Sequence, residues 1–220
     1  MDYSDTTVLI PVKDEPAAGR VAKDVLNKLG NCKVVVIYKG NWESLNIDFT
    51  NKNMLIMKQK GSGKGVACVQ ARKNIKTDIM CLIDGDATYD VNDLKKVINM
   101  VREGMDMAVG NRLKNMDSEA MPLYIQIGNK IITKTANLLY NLKLSDSQTG
   151  LRAMKRYVFD SLDLKEKYFG IETEINVKAK KAKYKIGEVP IHYYKRVGSS
   201  KQMKLIDGLK LLLLDFKFLF

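Results

Sequence analysis

Short apolar runs alternate along the first half of the chain with segments whose apolar residues recur every three or four positions. The runs are residues 6–12, 33–38, 54–57 and 78–83; bounded by polar residues, they predict buried strands. Between the first two, residues 17–29 set Val21, Val25, Leu26 and Leu29 on one stripe and stop at Gly30, the pattern of an amphipathic helix. Residues 65–75 and 92–102 predict further helices, and 105–109 a further strand. Strands alternating with helices imply right-handed crossovers and a mainly parallel sheet.

The second half changes character. A long helix is expected over 122–142. After a loop at 145–150 come a short strand-like piece, a helix near 173–183 and a strand at 185–193. Residues 203–220 are apolar at most positions but punctuated by Lys204, Asp207, Lys210, Asp215 and Lys217. With no repeat, low-complexity tract or linker, the expected organisation is one α/β domain over 1–201 with an amphipathic helical extension at 202–220.

Composition supports a folded core: 45% of the 220 residues are hydrophobic and 28% charged. The net charge of +12 is uneven, since residues 175–220 carry ten Lys and one Arg against Glu188, Asp207 and Asp215. Such an end suits nucleic acid, an anionic membrane surface or phosphorylated substrates. A nucleic-acid reader would interleave aromatic residues with its basic ones. Only Tyr184, Tyr193 and Tyr194 stand near lysines there, so nucleic acid is not the expected partner.

Cys32, Cys68 and Cys81 are odd in number and far apart, which suits buried reduced thiols in a cytoplasmic protein. With His192 the only histidine, neither a His-based metal centre nor a Ser-His-Asp triad is expected. The polar, acidic start at 1–5 does not read as a secretory signal. No apolar stretch approaches the ~20 residues of a spanning helix.

The candidate chemistry lies at Asp84-Gly85-Asp86, directly after the apolar run 79–83. Open α/β sheets bind ligands beyond the carboxyl ends of their strands. Two carboxylates at such an edge suit Mg²⁺ or a similar cation, which takes one or two carboxylates plus substrate phosphates. The same tripeptide is also ordinary turn chemistry. Gly61-Ser62-Gly63-Lys64-Gly65 invites comparison with a P-loop, but Lys58 stands where that motif needs its first Gly and Gly65 where it needs Ser or Thr. Gly-Lys-Gly at a helix start offers an anion backbone amides and an ammonium, or it is a turn with a solvated lysine.

Ile10-Pro11-Val12-Lys13-Asp14-Glu15, Gly63-Lys64-Gly65 and Leu82-Ile83-Asp84-Gly85-Asp86 are followed in order by Gly110-Asn111-Arg112, residues 145–152 and Glu172-Thr173-Glu174. Glu188-Val189-Pro190-Ile191 and the segment from Arg196 to Lys201 complete the set. Over about residues 7–201 this order resembles the GT-A-fold family 2 glycosyltransferases, in the branch of dolichyl-phosphate mannose synthases and polyprenyl-phosphate glucosyltransferases. The resemblance implies a Rossmann-like three-layer α/β domain. Asp84 and Asp86 would hold Mg²⁺ or Mn²⁺ against a UDP- or GDP-sugar. Pro11, Glu15 and Lys64 would line the nucleotide and diphosphate site, and Arg196 and Lys201 would close over it. Arg112 would meet an acceptor phosphate, where a guanidinium fork grips two oxygens. Asp146 and Glu174 would face the reaction, Asp146 as a base or an orienting group.

The implied activity is transfer of one sugar to a polyprenyl (dolichyl-type) phosphate by inverting displacement, on the cytoplasmic face of a membrane. A phosphate monoester is largely deprotonated at neutral pH, so it needs no strong base; an alcohol acceptor would, with Asp146 the candidate. A soluble saccharide acceptor is the alternative. The sequence departs from the family where strand 33–38 runs into Lys39-Gly40-Asn41 instead of an Asp-Asp-Gly-Ser-like turn. It departs again at Lys13-Asp14, which replaces an aromatic-Asn pair, and at Ile125 and Gln126, where an arginine often joins the acceptor clamp. The tail at 203–220 is expected either in a membrane interface or packed on protein, and association into a homo-oligomer is a further expectation.

Overall fold

A computed structural model describes residues 1–45, 47, 51–196 and 205–219, with the side chains of Ser44 and residues 205–207 outside the description. Among the described residues, seven strands form one sheet. They are β1 (Thr6–Lys13), β2 (Lys33–Lys39), β3 (Met54–Lys58), β4 (Ile79–Leu82), β5 (Met107–Met116), β6 (Arg152–Lys155) and β7 (Ile186–Tyr193), in the order β3-β2-β1-β4-β6-β5-β7. Every neighbouring pair is parallel except those of β6, which runs antiparallel to both β4 and β5. This is the expected mainly parallel α/β architecture.

The strand alternation sorts side chains into two cores. Val8, Ile10 and Val12 of β1 point to one face with α1 (Ala18–Leu29) and α3 (Leu94–Arg102). Leu9 points to the other, with α2 (Lys64–Ala71), α5 (Arg156–Ser161) and α6 (Ile171–Lys181). Three layers result, because each face of a parallel sheet must be covered. The three thiols are free and buried, and burial pushes the Cys32 thiol up to about 11.

Some boundaries differ from expectation for physical reasons. The helix from Lys64 tightens into a 3₁₀ turn at Arg72–Asn74. Strand β5 continues past residue 109 through the polar stretch to Met116, because β7 supplies a parallel partner and the pairing skips at a bulge between Asn111 and Asn115. The short helix α5 shows too few turns for a sequence period, yet buries Val158 and Phe159. The long helix α4 (Leu123–Tyr140) packs against α7 (Leu205–Lys217), and Tyr140 Oη donates to the Asp215 carbonyl oxygen at 2.5 Å.

Candidate active site

The carboxyl ends of β1, β2 and β4 open into a cleft of about 730 Å³. Asp84 and Asp86 sit on its floor, and the turn that carries them is tightly built. Thr88 donates to Asp86 Oδ1 from its hydroxyl at 2.7 Å and its amide at 3.2 Å, while Ala87 takes a left-handed φ of 58°. A methyl group at Gly85 would overlap Val12 on β1, so the chain can pass there only as glycine.

Each acidic residue meets a basic one. Lys64, at the start of α2, is ion-paired with Asp84 and lies 2.6 Å from Glu172 Oε1. Arg196 pairs with Glu15 and approaches Asp86 Oδ2 at 3.2 Å. Burial opposes the Lys64 charge, but Asp84 and Glu172 outweigh it and hold its pKa above the ordinary lysine value. Burial and the neighbouring Asp84 push the Asp86 carboxyl upward, partly offset by Thr88 and Arg196. Lys64 is thus no solvated turn lysine. The Gly65 amide donates to the Lys167 carbonyl oxygen at 3.0 Å, so the helix start is also stitched to the loop before α6.

Across β4 from this cluster, β5 delivers Arg112 into the cleft. Its Nε donates to Asp146 Oδ2 at 2.7 Å and its Nη2 to Oδ1 at 2.8 Å. The guanidinium also lies 5.3 Å from the Tyr193 ring centroid, a cation–π contact. Burial disfavours the Arg112 charge, but Asp146 more than compensates and raises its pKa. Asp146 is fully buried, and both its oxygens also accept backbone amides, from Arg112 and Gln148 at 3.2 Å each. Both carboxylate oxygens of Asp146 are thus engaged with Arg112 and the loop backbone.

Glu174 differs from expectation. Its carboxylate accepts the amides of Lys165 and Glu166 at 2.8–3.0 Å and pairs with Lys178 at 2.7 Å, away from the cleft. Two residues earlier on α6 the helix has turned about 200°, and Glu172 faces the cleft instead. Pro11, Glu15, Lys64, Asp84, Asp86, Arg112 and Arg196 all line the cleft. Lys201 lies outside the described residues.

Sequence reasoning also missed three supporting residues. Tyr89 donates no turn signal, yet its hydroxyl accepts the Gly150 amide at 2.7 Å and its ring meets Tyr193 edge-on at 5.2 Å. Glu188, noted only as part of a motif, accepts the amides of Ser145 and Asp146 at 2.7 and 2.9 Å. The fully buried Arg152 donates to the Thr149 carbonyl oxygen at 2.6 Å and to Asn176 Oδ1 at 3.1 Å, pinning the loop to α6. His192 stays out of the cleft, its ring 2.8 Å from Asp117.

The cleft has two characters. Lys13, Lys39, Gln59 and Ser62 give its lining polar or basic groups, and Met121, Ile125, Phe169 and Leu211 give it apolar ones. The departures at Lys13 and Lys39 therefore line the cleft, and Ile125 contributes apolar surface to it.

Comparison with known proteins gives this arrangement a family. Over 157 residues the chain is 31% identical to the low-salt glycan biosynthesis hexosyltransferase Agl6 of Haloferax volcanii, covering 70% of this chain and 38% of that protein. It matches the dolichyl-phosphate hexose transferase of the same organism at 27% identity over 200 residues, covering 90% and 87%. A UDP-N-acetylglucosamine–dolichyl-phosphate N-acetylglucosaminyltransferase of Methanococcus voltae matches at 30% over 168 residues, covering 73% and 67%. Against Agl6 and the H. volcanii glycosyltransferase AglJ the chain spans 38% and 57% of the relative's length.

Among solved structures, glucosyl-3-phosphoglycerate synthase from Mycobacterium tuberculosis in complex with UDP superposes with a TM-score of 0.72 at 14% identity, over 96% of this chain and 79% of that one. The same synthase with Mn²⁺, UDP and phosphoglyceric acid gives 0.70 at 15%, over 97% and 76%. At such identity the likeness is one of fold. The family model for glycosyl transferase family 2 matches residues 7–163, through the acidic pair, Arg112 and the Asp146 loop. The chain belongs to glycosyl transferase family 2.

Proposed function

We propose that this enzyme transfers a hexosyl or N-acetylhexosaminyl group from a UDP- or GDP-sugar to a polyprenyl (dolichyl-type) phosphate, by inverting displacement. The observation that carries the reading is the setting of Arg112: a buried, doubly held cation in a cleft whose lining also includes apolar Met121, Ile125 and Leu211. A phosphate head with a hydrocarbon tail needs both. The names of the H. volcanii and M. voltae relatives support the same acceptor.

Each residue has a task. Lys64 and Arg196, standing on the acidic cluster, can turn their charges to the donor diphosphate as it enters. Arg112 orients the acceptor phosphate, and Asp146 holds its fork in one geometry. Because that phosphate arrives largely ionised, the engagement of Asp146 with Arg112 costs the reaction no base, and alignment supplies most of the rate.

Asp84 and Asp86 fit a hard divalent cation. Among the described residues no group of three or more His, Cys, Asp or Glu side chains converges on a metal, so the pair would hold Mg²⁺ or Mn²⁺ jointly with diphosphate oxygens. Such a cation would draw off negative charge as the nucleotide departs. Lys201 extends the basic segment in this reading. Residues 1–201 act as the catalytic unit and 202–220 as a helical extension that holds the enzyme peripherally on the cytoplasmic membrane face.

The test is sugar transfer from labelled UDP- and GDP-sugars with Mn²⁺ to a short-chain polyprenyl phosphate. Product is expected, with Asp86→Asn reducing it about a hundredfold or more. Full turnover by Asp86→Asn refutes the metal role, and product only with a soluble saccharide refutes the lipid acceptor.

A further inference from the structure

The loop 162–170, which precedes α6, presses on both glycines that flank Lys64. A methyl group at Gly63 would overlap the Lys167 carbonyl oxygen, and one at Gly65 the Glu166 carbonyl oxygen. Gly63 stands where a helix start often carries a capping side chain, and it has none to offer. The Lys167 carbonyl takes that place, accepting the Gly65 amide at 3.0 Å. The start of α2 is thus capped by a different segment of the chain.

That segment is held in turn by α7. A methyl group at Gly170 would overlap Leu214 Cδ2, so the end of the loop lies directly on this buried leucine. Glu166, whose carbonyl oxygen faces Gly65, receives Lys217 Nζ at 2.7 Å. The Lys217 side chain is 65% exposed, so this pair contributes little alone and the leucine contact is the stronger hold. Helix α7 is itself anchored: the Tyr140 hydroxyl donates to the Asp215 carbonyl oxygen and Lys181 to that of Phe218. A run of contacts therefore leads from α7 through the loop to the start of α2, and from Lys64 on to Asp84 and Glu172.

We infer that α7 is part of the donor site: Leu214, helped by Lys217, positions Lys64 for the donor diphosphate by holding the loop against Gly63 and Gly65. Lysine is a point charge on a flexible stem, so its aim depends on how firmly its backbone is held. Leu214 and Lys217 are positioning residues that act through Lys64. The inference deepens the assignment of Lys64 to the donor and rests on it.

Calorimetric titration of the full chain with UDP and GDP in the presence of Mn²⁺ tests this. Leu214→Ala is expected to weaken binding of whichever nucleotide the wild type takes by about fivefold or more. Leu213→Ala, at an exposed position of the same helix, should not. In Lys64→Met the further change Leu214→Ala should have no effect, because losses that pass through one shared residue do not add. Additive losses, wild-type affinity in Leu214→Ala, or an equal loss in Leu213→Ala overturns the inference. Hydrogen exchange followed by NMR gives a readout that needs no ligand. The Gly65 amide should exchange about fivefold faster in Leu214→Ala, and unchanged protection overturns the inference. Should that variant not fold, Lys217→Ala replaces it, with about twofold faster exchange at Gly65 expected and equal exchange overturning. Wild-type nucleotide binding in Lys64→Met, or no binding by the wild type, removes the donor assignment. Exchange at Gly65 alone then decides whether α7 holds the turn.

Discussion

The backbone of Gly150 runs against the carboxylate of Asp84 so closely that a methyl group added there would overlap Oδ2 and stand 3.0 Å from Lys64 Nζ. The loop before β6 and the turn after β4 are therefore fitted together. Gly150→Ala is expected to displace Asp84 and Lys64 together, weakening Mn²⁺-nucleotide binding about tenfold or more in calorimetric titration, since a small misplacement near the reacting groups costs much. Unchanged affinity would show that the fit is incidental.

Glu172 and Glu174 should separate cleanly. Glu172→Gln removes a carboxylate from Lys64 inside the cleft, so kcat should fall with little change in unfolding. Glu174→Gln weakens a clamp on the Lys165 and Glu166 amides, so about 1–3 kcal/mol of stability should go while kcat at low temperature is kept. Urea unfolding and steady-state rates on both variants check the split.

Asp146→Ala leaves the Arg112 guanidinium buried without its partner, which should cost about 3–5 kcal/mol. Arg112→Lys keeps the charge but loses the two-pronged geometry. Its effect is expected in the acceptor KM, with the donor KM nearly unchanged; the reverse pattern would assign Arg112 to the donor.

Burial pushes the Asp215 carboxyl up to about 7, and neither oxygen has a hydrogen-bond partner among the described residues. Below the ordinary aspartate range both folded and unfolded states are protonated and the group is neutral to stability. As pH rises toward 7 only the unfolded state ionises, so stability falls, by up to about 1.4 kcal/mol per pH unit; above 7 the deficit is constant. Asp215→Asn should remove that slope. Relative to the wild type it is expected to gain about 2 kcal/mol between pH 5 and pH 8 in urea unfolding, and equal slopes would contradict the buried-carboxylate account.

Much of this was legible in the chain itself, and the failures have causes. Strands β1 to β4 are short apolar runs because both faces of the sheet are covered, so a run is a strong signal. Asp84 and Asp86 stood out because they directly follow one. Glu172 and Glu174 could not be told apart by motif, since only the rotation of α6 decides which faces the cleft. Tyr89 and Tyr193 are distant in sequence and meet only through folding. The polar half of β5 carries no strand pattern, yet its bulge delivers Arg112.

Strand β6 enters the middle of the sheet against the direction of its neighbours, pairing Leu82 with Arg152 and Cys81 with Ala153. Continued two steps, that antiparallel ladder sets Gly150 opposite Asp84. A slip of one residue would turn Arg152 to the other face of the sheet and carry the loop off the acidic turn. The spacing between the acidic turn and this loop is thus gauged by backbone hydrogen bonds in the interior of the sheet.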